Sequence, residues 1–322
     1  MEYVPLGGTE LKVSRIALGC MGFGDPVQGV NPWVLDERAA APVFRQAVEL
    51  GITLWDTANV YAGGTSEEIV GRAVRTYTRR EDVVLATKVG LPMHDGPEGS
   101  GLSRKAILRQ VDASLTRLGT DWIDLYQIHR FDPATPVDET MAALHEVVTA
   151  GKVRYIGASS MWAWQFAKMQ SAAAQQDGTR FVSMQNQYSL VQREDEREMF
   201  PLLADQGVSS LPWCPLAKGR LARPHGRVTG RSAKDSVGQR FFGGVDRPIV
   251  DAVQRIAARR GRSMAQVALA WVLHNPTVAA PVVGVTDPVH LQDAADALAV
   301  HLDDTEIADL ESHYTPRLPT GF

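Results

Sequence analysis

Three apolar runs in the first half of the chain each end on a charged or imidazole side chain: Leu54-Trp55-Asp56, Ala86-Thr87-Lys88 and Gln127-Ile128-His129. Tyr61 follows the first of them within one short loop. A phenol, an amine, a carboxylate and an imidazole suit the reduction of a carbonyl. Oxygen gathers negative charge as the carbonyl carbon accepts hydride, and it needs a proton there. A free phenol, with a pKa of about 10, is a sluggish donor near neutrality. A nearby ammonium such as Lys88 stabilises the phenolate and lowers that pKa. Asp56 can hold Lys88 charged and oriented by an ion pair, and His129 can place a hydrogen bond on the substrate oxygen. This chemistry requires no metal.

Taken singly, each residue also has a structural reading. An Asp closing a strand is as often a cap or turn residue. A lone His in a core is commonly structural, and a lone Lys is commonly solvated. Tyr61 could pack its ring and bond its hydroxyl. Lys88 is the least ordinary, because burying it without a partner would be costly.

Other chemistries lack their motifs. The glycines of Gly19-Cys20-Met21-Gly22-Phe23-Gly24 do not follow the G-x-G-x-x-G order of a dinucleotide fingerprint. There is no G-x-x-x-x-G-K-[ST] phosphate loop and no G-x-S-x-G elbow. The eight histidines form no H-x-H or H-E-x-x-H pair, so no catalytic metal is expected.

The elements that position the four residues follow from hydrophobic patterning. After a start that reads as two short strands around Gly7-Gly8, apolar runs at 16–19, 53–56, 83–88, 123–128, 153–158, 182–186, 208–212 and 280–283 predict strands. Several are apolar at consecutive positions, as strands covered on both faces are. Amphipathic stretches at 37–50, 66 to 77, 103–118, 137–150, 161–176, 195–206 and 263–274 predict helices, three of them stopped by Gly51, Gly119 and Gly151. Alternating strands and helices imply a parallel sheet with right-handed crossovers. An open doubly wound sheet and a closed (β/α)8 barrel both satisfy that pattern, and eight repeats favour closure. In such a barrel the chemistry sits where strands end, which is where Asp56, Lys88 and His129 fall. Residues 222–246, rich in Gly, Arg, Ser and Thr, read as a long surface loop over the site.

Composition sets the frame. A chain of 322 residues exceeds the usual single-domain prior, but α/β barrels of this length commonly form one unit, so 1–322 is expected to be one domain. The net charge of −4 gives no electrostatic reason to expect nucleic acid or an anionic membrane as partner. Cys20 and Cys214 form no CxxC pair, which excludes a disulfide scaffold and fits a reducing cytoplasm. Neither a signal peptide nor a membrane-length apolar segment is visible.

At the four residues the sequence resembles the aldo-keto reductase family. The resemblance is carried by Gly51-Ile52-Thr53-Leu54-Trp55-Asp56-Thr57-Ala58-Asn59-Val60-Tyr61, by Ala86-Thr87-Lys88 and by Asp124-Leu125-Tyr126-Gln127-Ile128-His129. It implies a (β/α)8 TIM barrel with an N-terminal β-hairpin and an active site on its C-terminal face. The family's tetrad falls on Asp56, Tyr61, Lys88 and His129, with Tyr61 as general acid or base. It also implies a nicotinamide cofactor bound across the barrel mouth, with NADPH the first choice and NADH the alternative. Gly22 joins that cofactor set. Ser159, Ser160 and Gln185 match positions that hydrogen-bond the nicotinamide carboxamide, and Trp213 matches the ring that stacks on it. Cys214, Pro215, Leu216, Lys218, Gly219 and Arg220 lie in a segment like the one that wraps the pyrophosphate. Gly284, Thr286, His290 and Asp293 fall at the adenosine end, where Asp287 stands near a position that carries Lys or Arg in many relatives. Gly157-Ala158-Ser159-Ser160-Met161-Trp162-Ala163-Trp164-Gln165-Phe166 is similar to the bacterial and fungal aryl-alcohol dehydrogenase-like branch, with Phe23, Trp33 and Trp162 as pocket walls. The implied substrate is a small carbonyl or alcohol. The alternative is a cofactor-binding regulatory subunit resembling the β subunits of potassium channels, with little turnover.

Overall fold

Successive side chains of a strand point to opposite faces, so a strand covered on both sides is apolar throughout. A computed structural model describes residues 1–28, 31–96, 99–227, 229, 233, 235 and 246–319. An antiparallel hairpin, β1 (Tyr3–Pro5) and β2 (Lys12–Ser14), precedes β3 (Ala17–Gly19), β4 (Leu54–Asp56), β5 (Val84–Val89), β6 (Ile123–Ile128), β7 (Val153–Ser159), β8 (Phe181–Gln185), β9 (Ser209–Ser210) and β10 (Val282–Gly284). The last eight form one parallel sheet in the order β10-β3-β4-β5-β6-β7-β8-β9. Its two edges meet. Ala279 N donates to Ser210 O at 2.9 Å and Val282 N to Pro212 O at 2.8 Å, beside a parallel bridge between Trp213 and Val282. The protein is a closed (β/α)8 barrel.

Around it lie α1 (Glu37–Glu49), α2 (Thr65–Tyr77), α3 (Arg104–Leu118), α4 (Val137–Thr149), α5 (Ala163–Gln175), α6 (Met199–Gln206), α7 (Arg247–Arg260), α8 (Met264–His274), α9 (Pro288–Asp296) and α10 (Asp304–Glu311). Local chemistry sets their ends. Asp36 and Ser103 accept the backbone N–H groups of Ala39 and Ala106, capping α1 and α3. Ser263 and Gln266 close a reciprocal box on α8. The helix expected over 195–206 is instead a tight turn at Glu194–Glu196 followed by α6. Pro201 has no N–H to bond back toward Arg197, so regular helix starts only at Met199. The helices α7, α9 and α10 were not foreseen, and most of the loop expected over 222–246 lies outside the described residues.

The alternation of each strand sorts its residues. Trp55, Leu85, Tyr126 and Ile128 face outward into the core shared with the helices. Leu54, Ala86 and Leu125 face inward, joined by Ala17 and Leu211 and by Leu6 and Val13 of the hairpin. The hairpin covers the end where strands begin: Gly7 N donates to Ser209 Oγ at 2.7 Å. Gly7 has φ +58°, and a Cβ there would stand 2.5 Å from Val182 O, so only glycine fits this approach. Two residues further along each strand, the inward positions become Asp56, Lys88 and Gln127. The barrel interior therefore changes from apolar to polar toward its C-terminal end.

Candidate active site

Lys88 is completely buried, and its ammonium meets three acceptors. It donates to Asp56 Oδ2 at 2.5 Å, to the Thr57 carbonyl at 2.8 Å and to the Tyr61 hydroxyl at 3.3 Å. An ammonium has three protons, so its hydrogen-bonding capacity is used in full. Burial pulls the Lys88 pKa down, but the Asp56 charge and the Tyr61 hydroxyl outweigh it, and the net shift is upward. The amine stays charged in the interior.

Asp56 is 3% exposed. Its second oxygen, Oδ1, accepts from Gln127 Nε2 and from Gln185 Nε2, both at 2.9 Å. β4, β6 and β8 thus converge on one carboxylate, as their shared inward face requires.

Tyr61 opens a tight turn over Tyr61–Gly64, in which Ala62 and Gly63 take positive φ values of 47° and 64° and Gly64 follows at 98°. A non-glycine residue held left-handed is strained, and such strain gathers at functional sites. The imidazole of His129 stands edge-on to the Tyr61 ring, centroids 5.7 Å apart. All four expected residues are therefore together at the end of the barrel where the strands finish. One electrostatic expectation is corrected. Lys88 does pull the phenol toward ionisation, but burial pushes harder the other way, and the net pKa of Tyr61 lies above its ordinary value. Burial, then Lys88 and Arg130, hold His129 well below the usual histidine range, so it is neutral near pH 7. Its Nδ1 is buried without a hydrogen-bond partner, as the bare acceptor of a neutral imidazole can be.

The residues expected at the nicotinamide also form one group. Ser159 pairs with Gln185 across β7 and β8, and the Ser159 and Ser160 hydroxyls lie 3.2 Å apart. Ser160 has φ +48°, and its Oγ accepts the indole N–H of half-buried Trp213 at 2.9 Å. Gln185 differs from expectation in one respect, since its amide N–H is bonded to Asp56. After Trp213 the chain takes positive φ at Cys214, Ala217, Lys218 and Gly219. Loops of mixed handedness turn backbone N–H groups into concavities that accept anions. Lys218 and Arg220 lie on the same loop, with Pro215 and Leu216 within it, and Lys218 Nζ stands 3.4 Å from the buried Asp235 carboxylate.

Other expected residues are placed differently. Phe23 is fully buried and packs against Phe44, ring centroids 4.9 Å apart and planes tilted by 51°, so it is core and not a pocket wall. Trp33 is half-buried, and a Cβ on Gly22 would touch its ring at 3.5 Å. Trp162 is 42% exposed at the start of α5, with Trp164 nearby at 59%. At the adenosine end, Gly284 and His290 are exposed and Thr286 is half-buried. Asp293 accepts from Gln266 of α8 at 3.0 Å, and Asp287 caps α9 by accepting Val289 N at 3.0 Å.

Sequence reasoning missed Gln127 and Arg130. Gln127 was findable, because it lies two residues from both Leu125 and His129 on the inward face. Arg130 donates to the His129 carbonyl at 2.6 Å, and its guanidinium carbon lies 6.0 Å from the Trp213 ring centre. No signal in the sequence marks it apart from its place beside His129.

A closed parallel barrel with an ionised pair, a phenol and an imidazole at its C-terminal end defines a class of oxidoreductase frame. Residues 15–315 match the Aldo/keto reductase family, and the chain belongs to that family. It is 44% identical to the versiconal hemiacetal acetate reductase of Aspergillus parasiticus, over 98% of each chain. It is 43% identical to the aldo-keto reductase AFTS1 of Alternaria alternata, over 97% of this chain and 91% of that protein. A Schizosaccharomyces pombe protein with a provisional aryl-alcohol dehydrogenase name is 39% identical, over 98% of this chain and 96% of its own. The family's enzymes act on small carbonyl compounds and generally use NAD(P)H, and membership of the family makes this chain an oxidoreductase. Among the described residues, no helix is long and apolar enough to cross a membrane.

Proposed function

We propose that the chain reduces aldehydes or ketones to alcohols with NADPH, using Tyr61 as general acid. The observation that carries this reading is the single ammonium of Lys88 bonded at once to Asp56 and to the Tyr61 hydroxyl. Half-buried Tyr61 keeps its proton at neutral pH. As charge develops on a substrate oxygen, Tyr61 gives up that proton and Lys88 stabilises the phenolate left behind. Asp56 keeps Lys88 charged and aimed. Neutral His129 donates a hydrogen bond to the same oxygen and fixes its direction. Proton delivery of this kind contributes roughly a hundredfold to ten-thousandfold.

When bound, a reduced nicotinamide supplies the hydride. Ser159, Ser160, Gln185 and Trp213 would hold its ring end, and the loop carrying Lys218 and Arg220 its pyrophosphate. NADPH follows the family. Asp287 at the adenosine end favours NADH as the second reading, because a carboxylate on the cap of α9 opposes an added phosphate. The direct test mixes protein, NADPH and 4-nitrobenzaldehyde and follows cofactor absorbance. Turnover is expected. No consumption of either cofactor across a varied panel of aldehydes, ketones and alcohols would remove the proposal.

A further inference from the structure

We infer that Gln127 is a positioning residue for proton transfer, holding the Asp56 carboxylate so that Lys88 stays within reach of Tyr61. The inference rests on the reading of Tyr61 as the acid. It starts from a division of labour on Asp56. Oδ2 takes the charged donor, Lys88, at 2.5 Å, while Oδ1 takes two uncharged amides, Gln127 and Gln185, each at 2.9 Å. A carboxylate bonded through one oxygen can swing about its Cβ–Cγ bond. One bonded through both is fixed in plane.

Gln127 is built into this place. It is completely buried, and lies directly opposite Lys88 in the register of β5 and β6. Its own carbonyl lies 3.4 Å from Gln185 Nε2, so the two amides order one another. Room for it comes from a neighbouring strand: a Cβ on Gly157 would stand 3.1 Å from Gln127 Cγ and 2.5 Å from Ser183 Oγ. A buried primary amide with a dedicated gap beside it is an expensive way to fill a core, since an apolar side chain of the same size needs no partners.

The electrostatic effect has a definite sign. Around the Tyr61 hydroxyl stand Asp56 on β4, Lys88 on β5, and His129 and Arg130 at the end of β6, with Cys20 near Asp56 and Lys88. Asp56 opposes ionisation of the phenol, and Lys88 and Arg130 favour it. Two amide dipoles with N–H toward Oδ1 weaken the field of the carboxylate at Tyr61 without adding charge. Lys88 then answers less to Asp56 and more to the developing phenolate.

The experiment compares Gln127→Met, which keeps the shape and removes the donor, with Gln127→Glu, whose protonated carboxyl donates an O–H to Asp56 as the amide donates N–H. Losing a hydrogen bond to a buried charge predicts a fall in kcat of about tenfold or more for Gln127→Met, with KM for the carbonyl within about threefold. Gln127→Glu recovers at least half of that loss at the acidic end of the pH range, because a carboxyl beside Asp56 holds its proton. Gln127→Met within twofold of wild type, or Gln127→Glu no better than Gln127→Met at every pH, overturns the inference. Gln127→Asn, with its amide withdrawn by one methylene, gives the kcat reading should the Met variant fail to fold. A wild-type protein without carbonyl turnover would sink the proposed function instead. The inference is then read in a crystal structure of the Met or the Asn variant: loss of the Lys88–Tyr61 contact supports it, and an unmoved contact overturns it.

Discussion

Lys88 reaches the Tyr61 hydroxyl across 3.3 Å from the floor of a closed barrel, with no exposed surface of its own. The phenol and the amine come from different elements, a turn after β4 and the strand β5, and the parallel pairing of those two strands brings them together. Removing the amine tests what it does. Lys88→Met should lower kcat by about a hundredfold to ten-thousandfold. It also leaves Asp56 buried without its ion partner, so stability should fall by about 3–5 kcal/mol. Steady-state kinetics and denaturant unfolding read the two effects separately. Near-normal kcat with lowered stability would reduce Lys88 to a structural role.

Neutral His129 has a pH signature. Its folded-state pKa lies well below the histidine value of about 6.5 expected when unfolded. Between those two values the unfolded chain binds the extra proton, so stability rises with pH there and falls on acidification. The stabilising contribution is complete above about pH 6.5, and its slope below that is at most about 1.4 kcal/mol per pH unit. His129→Gln should flatten this acid limb in a plot of Tm against pH. An unchanged limb would mean that other groups carry it.

Asp124 lies in the matched motif, yet at the opposite end of the barrel from Tyr61. It accepts Leu85 N at 3.0 Å and pairs with Arg80 at 2.7 Å and Arg154 at 3.1 Å. Those two guanidinium groups lie 4.4 and 4.8 Å from the Trp122 ring centre. Asp124→Asn should therefore cost about 2–4 kcal/mol of stability and leave kcat within about twofold. A large loss of kcat in a well-folded Asn variant would show that this end of the barrel reaches the chemistry.

The cofactor question turns on Asp287. Replacing its carboxylate by an amide keeps a cap on α9 and removes a negative charge beside the adenosine end. Asp287→Asn should tighten NADPH binding by about three- to tenfold and leave NADH within twofold, read as dissociation constants from tryptophan fluorescence. Equal changes for both cofactors would place Asp287 away from the phosphate.

The strand ends carrying Asp56, Lys88 and His129 were legible because each depends on a local pattern. Strand–helix alternation fits an open sheet as well as a barrel, and the eight repeats and the family resemblance pointed to closure and to the tetrad. Alternation along β4 puts Asp56 two residues beyond inward Leu54, and the same step in β5 leads from Ala86 to Lys88. The part played by Gln127 was not legible, since its partners Asp56 and Gln185 sit on β4 and β8, and cross-barrel contacts have no trace within one strand. Phe23 misled for a related reason. An aromatic after the first strand reads alike as wall or core, and Phe44 on α1 decides which. The sign of the Tyr61 shift also needed the fold: sequence places Lys88 beside the phenol, but only the structure shows the lysine fully buried and the phenol half-buried against it.

The central claim is that Tyr61 delivers the proton, and Tyr61→Phe tests it most directly, since it removes one oxygen and keeps the ring against His129. Carbonyl reduction should fall by at least about a hundredfold, while the dissociation constant for NADPH, read by fluorescence, stays within about threefold. Reduction by the Phe variant at wild-type rate would contradict the account.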